Sequence, residues 1–447
     1  MFRHRLRAVY GMFCQTAQGK GQGFGCACNP HPVSFTSILL ALLAGPLVGL
    51  AITLLNWSIS NLAKLVLMLS DNLLPFGPAV DYMLTLMVGA LIMGWILKLS
   101  PRVGGPGIDD AVWIISNKHG QGPWYWLPLK LLGTIICVGT GGGGIVGPSC
   151  FLGTTVSVVL NKLLRLRDES QRQLLALVGA AAGVGAVLKS PIGGVLVVME
   201  ALAAKDGKLV LDHLVPSLVA SLGAYLTLGT LLGFSPLLRL EGPTPMTWSM
   251  ATLTQVGAAA LVAGVVARAY IELFRGVGQL YRRWEIPLWA QPVLGALLAG
   301  PVVIFLSTGT SSALQPFEIG RPGLAPLQDA LLGRLGFAAL LSLTLGKAVD
   351  VALRSGSGGS VGIFGPAMWV GGLSGALAGF LPGFEKSPLS IVAGTAAGIA
   401  AGMEFPFAAV VIVVEILGSR LLVPAVAGSV LGALVQHGWN RLVGQER

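Results

Sequence analysis

Charge is what this sequence has least of. Only 11% of its 447 residues are Asp, Glu, Lys or Arg, against roughly 25% for an ordinary soluble protein. So few cannot cover the surface of a water-soluble chain of this length. Five cysteines among 447 residues are too few for a disulfide scaffold. Ten-residue stretches of alternating polarity are missing, which argues against a membrane barrel. No compact apolar core or small-residue cleavage site follows Arg3, Arg5 and Arg7, so the N-terminus does not read as a signal peptide. No soluble domain of useful size is visible.

What is present is apolar. Hydrophobic residues make up 54% of the chain, and the mean hydropathy is +0.77. This is the composition of a polytopic membrane protein. The 63 glycines and 26 prolines further predict an all-α bundle with many tilted and broken helices, because such breaks are tolerated where backbone lines a cavity. The net charge of +10 suits anionic lipid and an anionic substrate, and is specific to neither. Cys137 and Cys150 lie in apolar segments and read as packing residues. Cys14, Cys26 and Cys28 with His31 match no strong zinc spacing and read as part of a flexible tail. No metal or cofactor is expected.

The run Ile38 to Leu69 is long enough to cross a bilayer at a tilt. A stretch without Lys or Arg follows, Asp71 to Asp81, and Tyr82 to Leu97 then returns to Lys98 and Arg102. The positive-inside rule puts that stretch outside and both chain ends in the cytoplasm. The basic clusters Lys162, Arg165, Arg167 and Arg172, Lys205 and Lys208, and Arg268, Arg275, Arg282 and Arg283 read as cytoplasmic too. The segments Phe234–Trp248 and Ser307–Leu327 read as external, and Leu421 to Val435 is the last apolar run. Residues 1–35 are read as a basic cytoplasmic segment and 36–447 as a transmembrane domain.

That domain carries a repeat, about 36–233 and about 250–440. Gly179, Gly183, Pro191 and Glu200 in the first half keep the same offsets as Gly394, Gly398, Pro406 and Glu415 in the second. Broken helices at corresponding places in two halves point to a transporter with its site between them.

Three glycine clusters each precede a predicted helix: Gly104-Gly105-Pro106-Gly107-Ile108, Gly141 to Pro148, and Gly356 to Pro366. Glycine lets backbone N–H groups converge, and a helix start adds roughly half a positive charge without a titratable group. Three such ends aimed at one point can hold a partly dehydrated anion loosely enough to release it. A Lys or Arg there would grip the ion harder and cost several kcal/mol to bury. The plainer reading, glycines serving only close helix packing, stands beside this one for any single cluster. No cluster continues as Gly-Lys-Ser/Thr, so a phosphate loop is excluded.

In this order the clusters resemble the three anion-binding signatures of the CLC chloride channels and transporters, usually GSGIP, GREGP and GxFxP. Here they read Gly-Pro-Gly-Ile-Asp (105–109), Gly-Ile-Val-Gly-Pro (144–148) and Gly-Ile-Phe-Gly-Pro (362–366). The resemblance covers nearly the whole chain. It implies an antiparallel two-repeat bundle, a homodimer with one pore per subunit, no cofactor, and anion contacts at Gly105, Pro106, Gly107 and Ile108, at Gly144, Ile145, Val146 and Gly147, and at Gly362, Ile363, Phe364 and Gly365. The regulatory CBS domains of many relatives are absent from this sequence.

The departures are informative. Pro106 replaces the serine whose hydroxyl helps coordinate the anion, and proline supplies neither hydroxyl nor N–H; within the family it is associated with nitrate-preferring plant members. Val146 stands at the gate position in place of a glutamate that competes with the anion and carries the proton. Ala201 stands at the inner proton position, with Glu200 adjacent. Glu200 also reads as one of two repeat-related carboxylates, with Glu415, capping a helix beside Lys205. The coordinating tyrosine expected near the last helix is missing, since no Tyr follows Tyr281, and Trp439 or nothing takes its place.

Lys189 and Glu404 share a repeat position and read either as a buried ion pair or as two unrelated residues reaching water. His119 and His213 fall at segment edges. The apolar segments hold no Ser/His/Asp, Cys/His or metal-ligand constellation, so an enzyme is not expected, and no nucleic-acid partner is implied. The expectation is a dimeric inner-membrane protein that passes a small monovalent anion, chloride by family default with nitrate, bicarbonate and fluoride open, without proton coupling. Its alternatives are a proton-coupled antiporter using a carboxylate such as Glu200, and a non-transporting sensor or scaffold on the same fold.

Overall fold

The computed structural model describes residues 34–72, 77–206, 213–240, 249–308, 319 and 323–443. The cluster of Cys14, Cys26, Cys28 and His31 lies outside them. Among the described residues the chain is all-helical without strands, as its composition predicts. The first half contains α1 (Phe35–Asn72), α2 (Pro78–Leu99), α3 (Ile108–Asn117), α4 (Trp126–Gly141), α5 (Val146–Leu163), α6 (Glu169–Leu188), α7 (Pro191–Asp206) and α8 (Leu214–Leu232). The second contains α9 (Met250–Arg283), α10 (Gln291–Thr308), α11 (Ala325–Leu331), α12 (Phe337–Gly356), α13 (Phe364–Ala378), α14 (Pro388–Met403), α15 (Pro406–Leu417) and α16 (Leu422–Leu442).

Six of the described helices, within α1, α2, α6, α8, α9 and α16, are long and apolar enough to cross a membrane. Helices such as α4 and α14, with 16 residues each, reach only about 24 Å at 1.5 Å per residue. That is short of a hydrocarbon core of about 30 Å, as expected of helices broken where backbone can be satisfied within the protein.

The two repeat segments fold alike. α6 ends at Leu188 and α7 starts at Pro191; α14 ends at Met403 and α15 starts at Pro406. Proline disfavours α geometry in the residue before it. Each preceding helix closes on a left-handed residue, Lys189 at φ 52° and Glu404 at φ 65°. These two do not pair with each other. Lys189 Nζ donates to the carbonyl of Ser235 at 2.6 Å, whereas Glu404 accepts from Arg268 at 2.9 Å and Arg275 at 3.5 Å.

The glycines of both repeats sit at helix crossings. A Cβ on Gly153 of α5 would overlap the carbonyl of Gly179 on α6 and lie 3.3 Å from Gly183 Cα. A Cβ on Gly371 of α13 would overlap the carbonyl of Gly394 on α14 and lie 2.7 Å from Gly398 Cα. Gly153 and Gly371 are each seven residues into their helices, so the same small-residue crossing is built twice.

α7 and α15 then cap one another. Glu200 on α7 accepts from the N–H groups of Phe407 (3.0 Å) and Ala408 (2.7 Å) in the first turn of α15. Glu415 on α15 accepts from Ile192 (3.2 Å) and Gly193 (2.9 Å) in the first turn of α7, and from the hydroxyl of Ser190. Each carboxylate meets the positive end of the other helix. Lys205, placed beside Glu200 by the sequence, instead donates to Asn117.

Candidate functional site

Each glycine cluster opens a helix: α3 after Gly107, α5 after Ile145 and α13 after Ile363. None of the three starts has a side-chain cap, so first-turn N–H groups are left for another partner. Gly107 takes φ 97°, a conformation that a residue with a Cβ rarely adopts. In α5 and α13 the third position is Pro148 or Pro366, and the first backbone bonds arrive only at Ser149 (to Ile145, 2.9 Å) and Ala367 (to Ile363, 3.0 Å).

The clusters touch in all three pairings. Gly144 and Gly362 exchange both backbone bonds, at 3.2 and 2.7 Å, in an isolated antiparallel bridge. The N–H of Gly105 donates to the carbonyl of Gly358 at 3.2 Å. A Cβ on Gly147 would overlap the carbonyl of Pro106, and one on Gly107 would lie 2.8 Å from the carbonyl of Gly147. Sequence positions 105–108, 144–147 and 362–365 are therefore one backbone assembly. α3 differs from the other two because Asp109 and Asp110 lie in its first turn. Carboxylates there neutralise part of its helix-end charge, leaving α5 and α13, with no acid in the first turn, as the stronger positive ends. Asp110 lies 3.4 Å from Arg102.

Buried cations hold backbone carbonyls of the first two clusters. Lys130 on α4, wholly buried, donates to the carbonyls of Val103 (3.0 Å), Gly104 (3.4 Å) and Gly105 (2.9 Å). Arg354 on α12 holds the second cluster and is ion-paired with Asp350. Lys347, also on α12, donates to the carbonyl of Ile319 at 3.0 Å and lies 4.3 Å over the Trp369 ring. Their burial is made possible by carbonyl and carboxylate partners. The hydroxyls of Thr134 and Ser360 share a 2.8 Å bond that ties α4 to the third cluster.

Val146 is the first residue of α5 and is buried, as is Ala201 on α7. Trp439 lies in the last turns of α16, beside Asn440, which accepts from Arg268. The tyrosine that reaches the third cluster is Tyr270 of α9, whose buried hydroxyl donates to the carbonyl of Ile363 at 3.3 Å. Sequence reasoning did not single out this contact between residues 93 positions apart. It also missed Phe405, the residue before α15, which stacks on Phe364 with ring centroids 6.3 Å apart. His119 lies 3.0 Å from Glu169 near the surface, and among the described residues no His, Cys, Asp and Glu group is arranged to hold a metal.

Relatives were found by sequence and by fold. The chain is 25% identical over 391 residues to an uncharacterized protein of Methanocaldococcus jannaschii, covering 86% of this chain and 94% of that one. It is 23% identical over 366 residues to the H(+)/Cl(-) exchange transporter ClcA of Vibrio parahaemolyticus, covering 79% and 76%. Among solved structures it is similar to a slow cyanobacterial Cl-/H+ antiporter (TM-score 0.77, 21% identity, 92% of this chain and 95% of that one). It is also similar to a CLC-type fluoride/proton antiporter (TM-score 0.75, 20% identity, 90% and 95%). The profile of the family described as voltage gated chloride channel matches residues 88–437, so this chain, a polytopic membrane protein with paired helix breaks and three joined glycine clusters, belongs to the CLC family of anion-transporting proteins.

Proposed function

We propose that the chain passes a small monovalent anion (chloride, nitrate or bicarbonate) through a pore in each subunit, and that it does so without moving protons. The observation that carries this reading is Val146, buried at the start of α5 in the motif position where the family resemblance expects the gating glutamate. A valine neither competes with an anion nor titrates. Ala201 removes the second carboxylate a proton would need. In this reading the anion contacts are the N–H groups near Ile108, Val146, Ile363 and Phe364. The protein is a homodimer in the inner membrane, both ends cytoplasmic, with residues 36–447 forming the transport domain.

The antiporter reading has support in the names of the relatives, and Glu200 is its nearest carboxylate. Against it, Glu200 is held by two N–H groups of another helix, a position that favours a fixed helix cap over a mobile proton carrier. A non-transporting scaffold would have no need of the backbone contacts that join all three clusters.

The test is flux from liposomes holding purified protein, each anion in turn, with a pH dye inside. Anion efflux with no uphill proton movement is expected. Proton uptake against its gradient, driven by the anion, would establish the antiporter instead. Absence of flux with every anion would leave the scaffold reading.

A further inference from the structure

The second cluster is reached by the C-terminal end of one helix as well as the N-terminal start of another. α4 ends at Gly141 and α5 begins at Val146. The last carbonyls of α4 carry roughly half a negative charge; that of Val138 accepts from Gly142 N–H at 2.8 Å, and those after it have no intrahelical donor. Left open beside an anion path, that end would repel the ion that the start of α5 attracts.

One side chain closes it. Arg354, in the last turn of α12, donates from Nη2 to the carbonyls of Gly141 and Gly142, both at 2.6 Å, and from Nη1 to that of Cys137 at 3.0 Å. Nε and Nη2 also hold the Asp350 carboxylate at 2.7 and 2.8 Å, and both residues are buried. The carbonyl of Arg354 accepts from Gly359 N–H at 2.9 Å. A single residue thus grips the second cluster by its side chain and the third by its backbone. A cavity of about 20 Å³ flanks this point, with Gly89, Cys137, Arg354 and Val361 in its wall. It is large enough for about one water.

We propose that Arg354 is a positioning residue for the anion site. Its guanidinium neutralises the end of α4 and fixes the turn Gly141–Gly144, and Asp350 balances its charge so that the pair screens without trapping the ion. This rests on the anion-transport reading above.

The test compares wild type, D350N and the double variant R354Q/D350N. Chloride binding to the detergent-purified protein is measured by calorimetry, flux and the nitrate-to-chloride ratio in liposomes, and melting by tryptophan fluorescence. The double variant removes both charges of the Arg354–Asp350 pair together. It should bind chloride at least fivefold more weakly and shift the nitrate-to-chloride ratio. D350N keeps the carbonyl contacts but unbalances the cation. It should bind chloride at least threefold more tightly and turn over more slowly. A purely structural role would lower the melting temperature of both and leave affinity and ratio unchanged in the folded protein; that result overturns the proposal. If the double variant does not fold, D350N decides by the direction of its affinity change. If neither folds, the pair is a core staple and the proposal fails. If wild type carries no anion in the same vesicles, the transport reading has failed instead.

Discussion

At the scale of single residues, the proposed function makes testable claims for Val146 and Pro106, two positions where the family resemblance expects polar side chains. Val146 opens α5 where the resemblance expects a carboxylate, and that helix end would hold a negative charge well. Val146→Glu should therefore slow anion flux by placing a tethered competitor at that end. The slowing should ease as pH falls towards the ordinary carboxyl range of about 4, because the neutral acid no longer competes. A mutant as fast as wild type at every pH would show that Val146 does not border the path. Pro106 stands where the resemblance expects a serine hydroxyl, and in the proposed reading the remaining N–H donors are less demanding of ion shape. Pro106→Ser restores one directed donor and should move the preference towards chloride by up to about 1 kcal/mol, the net worth of one hydrogen bond. The nitrate-to-chloride permeability ratio of the two proteins in matched vesicles reports this directly. A ratio that stays put, or moves towards nitrate, would reduce Pro106 to a residue that only shapes the start of α3.

At the scale of elements, helix ends explain more than helix lengths. The start of α5 and the end of α4 meet at one cluster, and the protein treats them differently: the start is left uncapped, the end is closed by Arg354. α7 and α15 show the opposite use of a helix start, each filled by a glutamate of the other. Glu200→Gln and Glu415→Gln should each lower stability by about 1 kcal/mol, the usual worth of a cap. Both should leave the anion-to-proton behaviour of the folded protein as in wild type. Melting in detergent and the pH-dye assay separate the two effects. A Glu200→Gln protein with unchanged melting but altered proton movement would put Glu200 on a proton path.

At the scale of the whole molecule, the sequence alone determined whatever depends on local pattern. Scarce charge and long apolar runs set the membrane class. Glycine before an apolar stretch marked where α3, α5 and α13 begin, and matched Gly, Pro and Glu offsets marked the twin breaks at Pro191 and Pro406. Each is a property of neighbours in the chain, where helix geometry is written within a few residues. Tertiary structure decided the partners of the buried polar groups. Arg354 lies 213 residues from Gly141, Glu200 lies 208 from Ala408, and Tyr270 lies 93 from Ile363. Nothing near Lys189 or Glu404 says that one turns to Ser235 and the other to Arg268. A charged atom inside a membrane protein must find a partner, but that requirement is met by whichever carbonyl or carboxylate the packed helices bring within about 3 Å. Only the fold specifies which one that is.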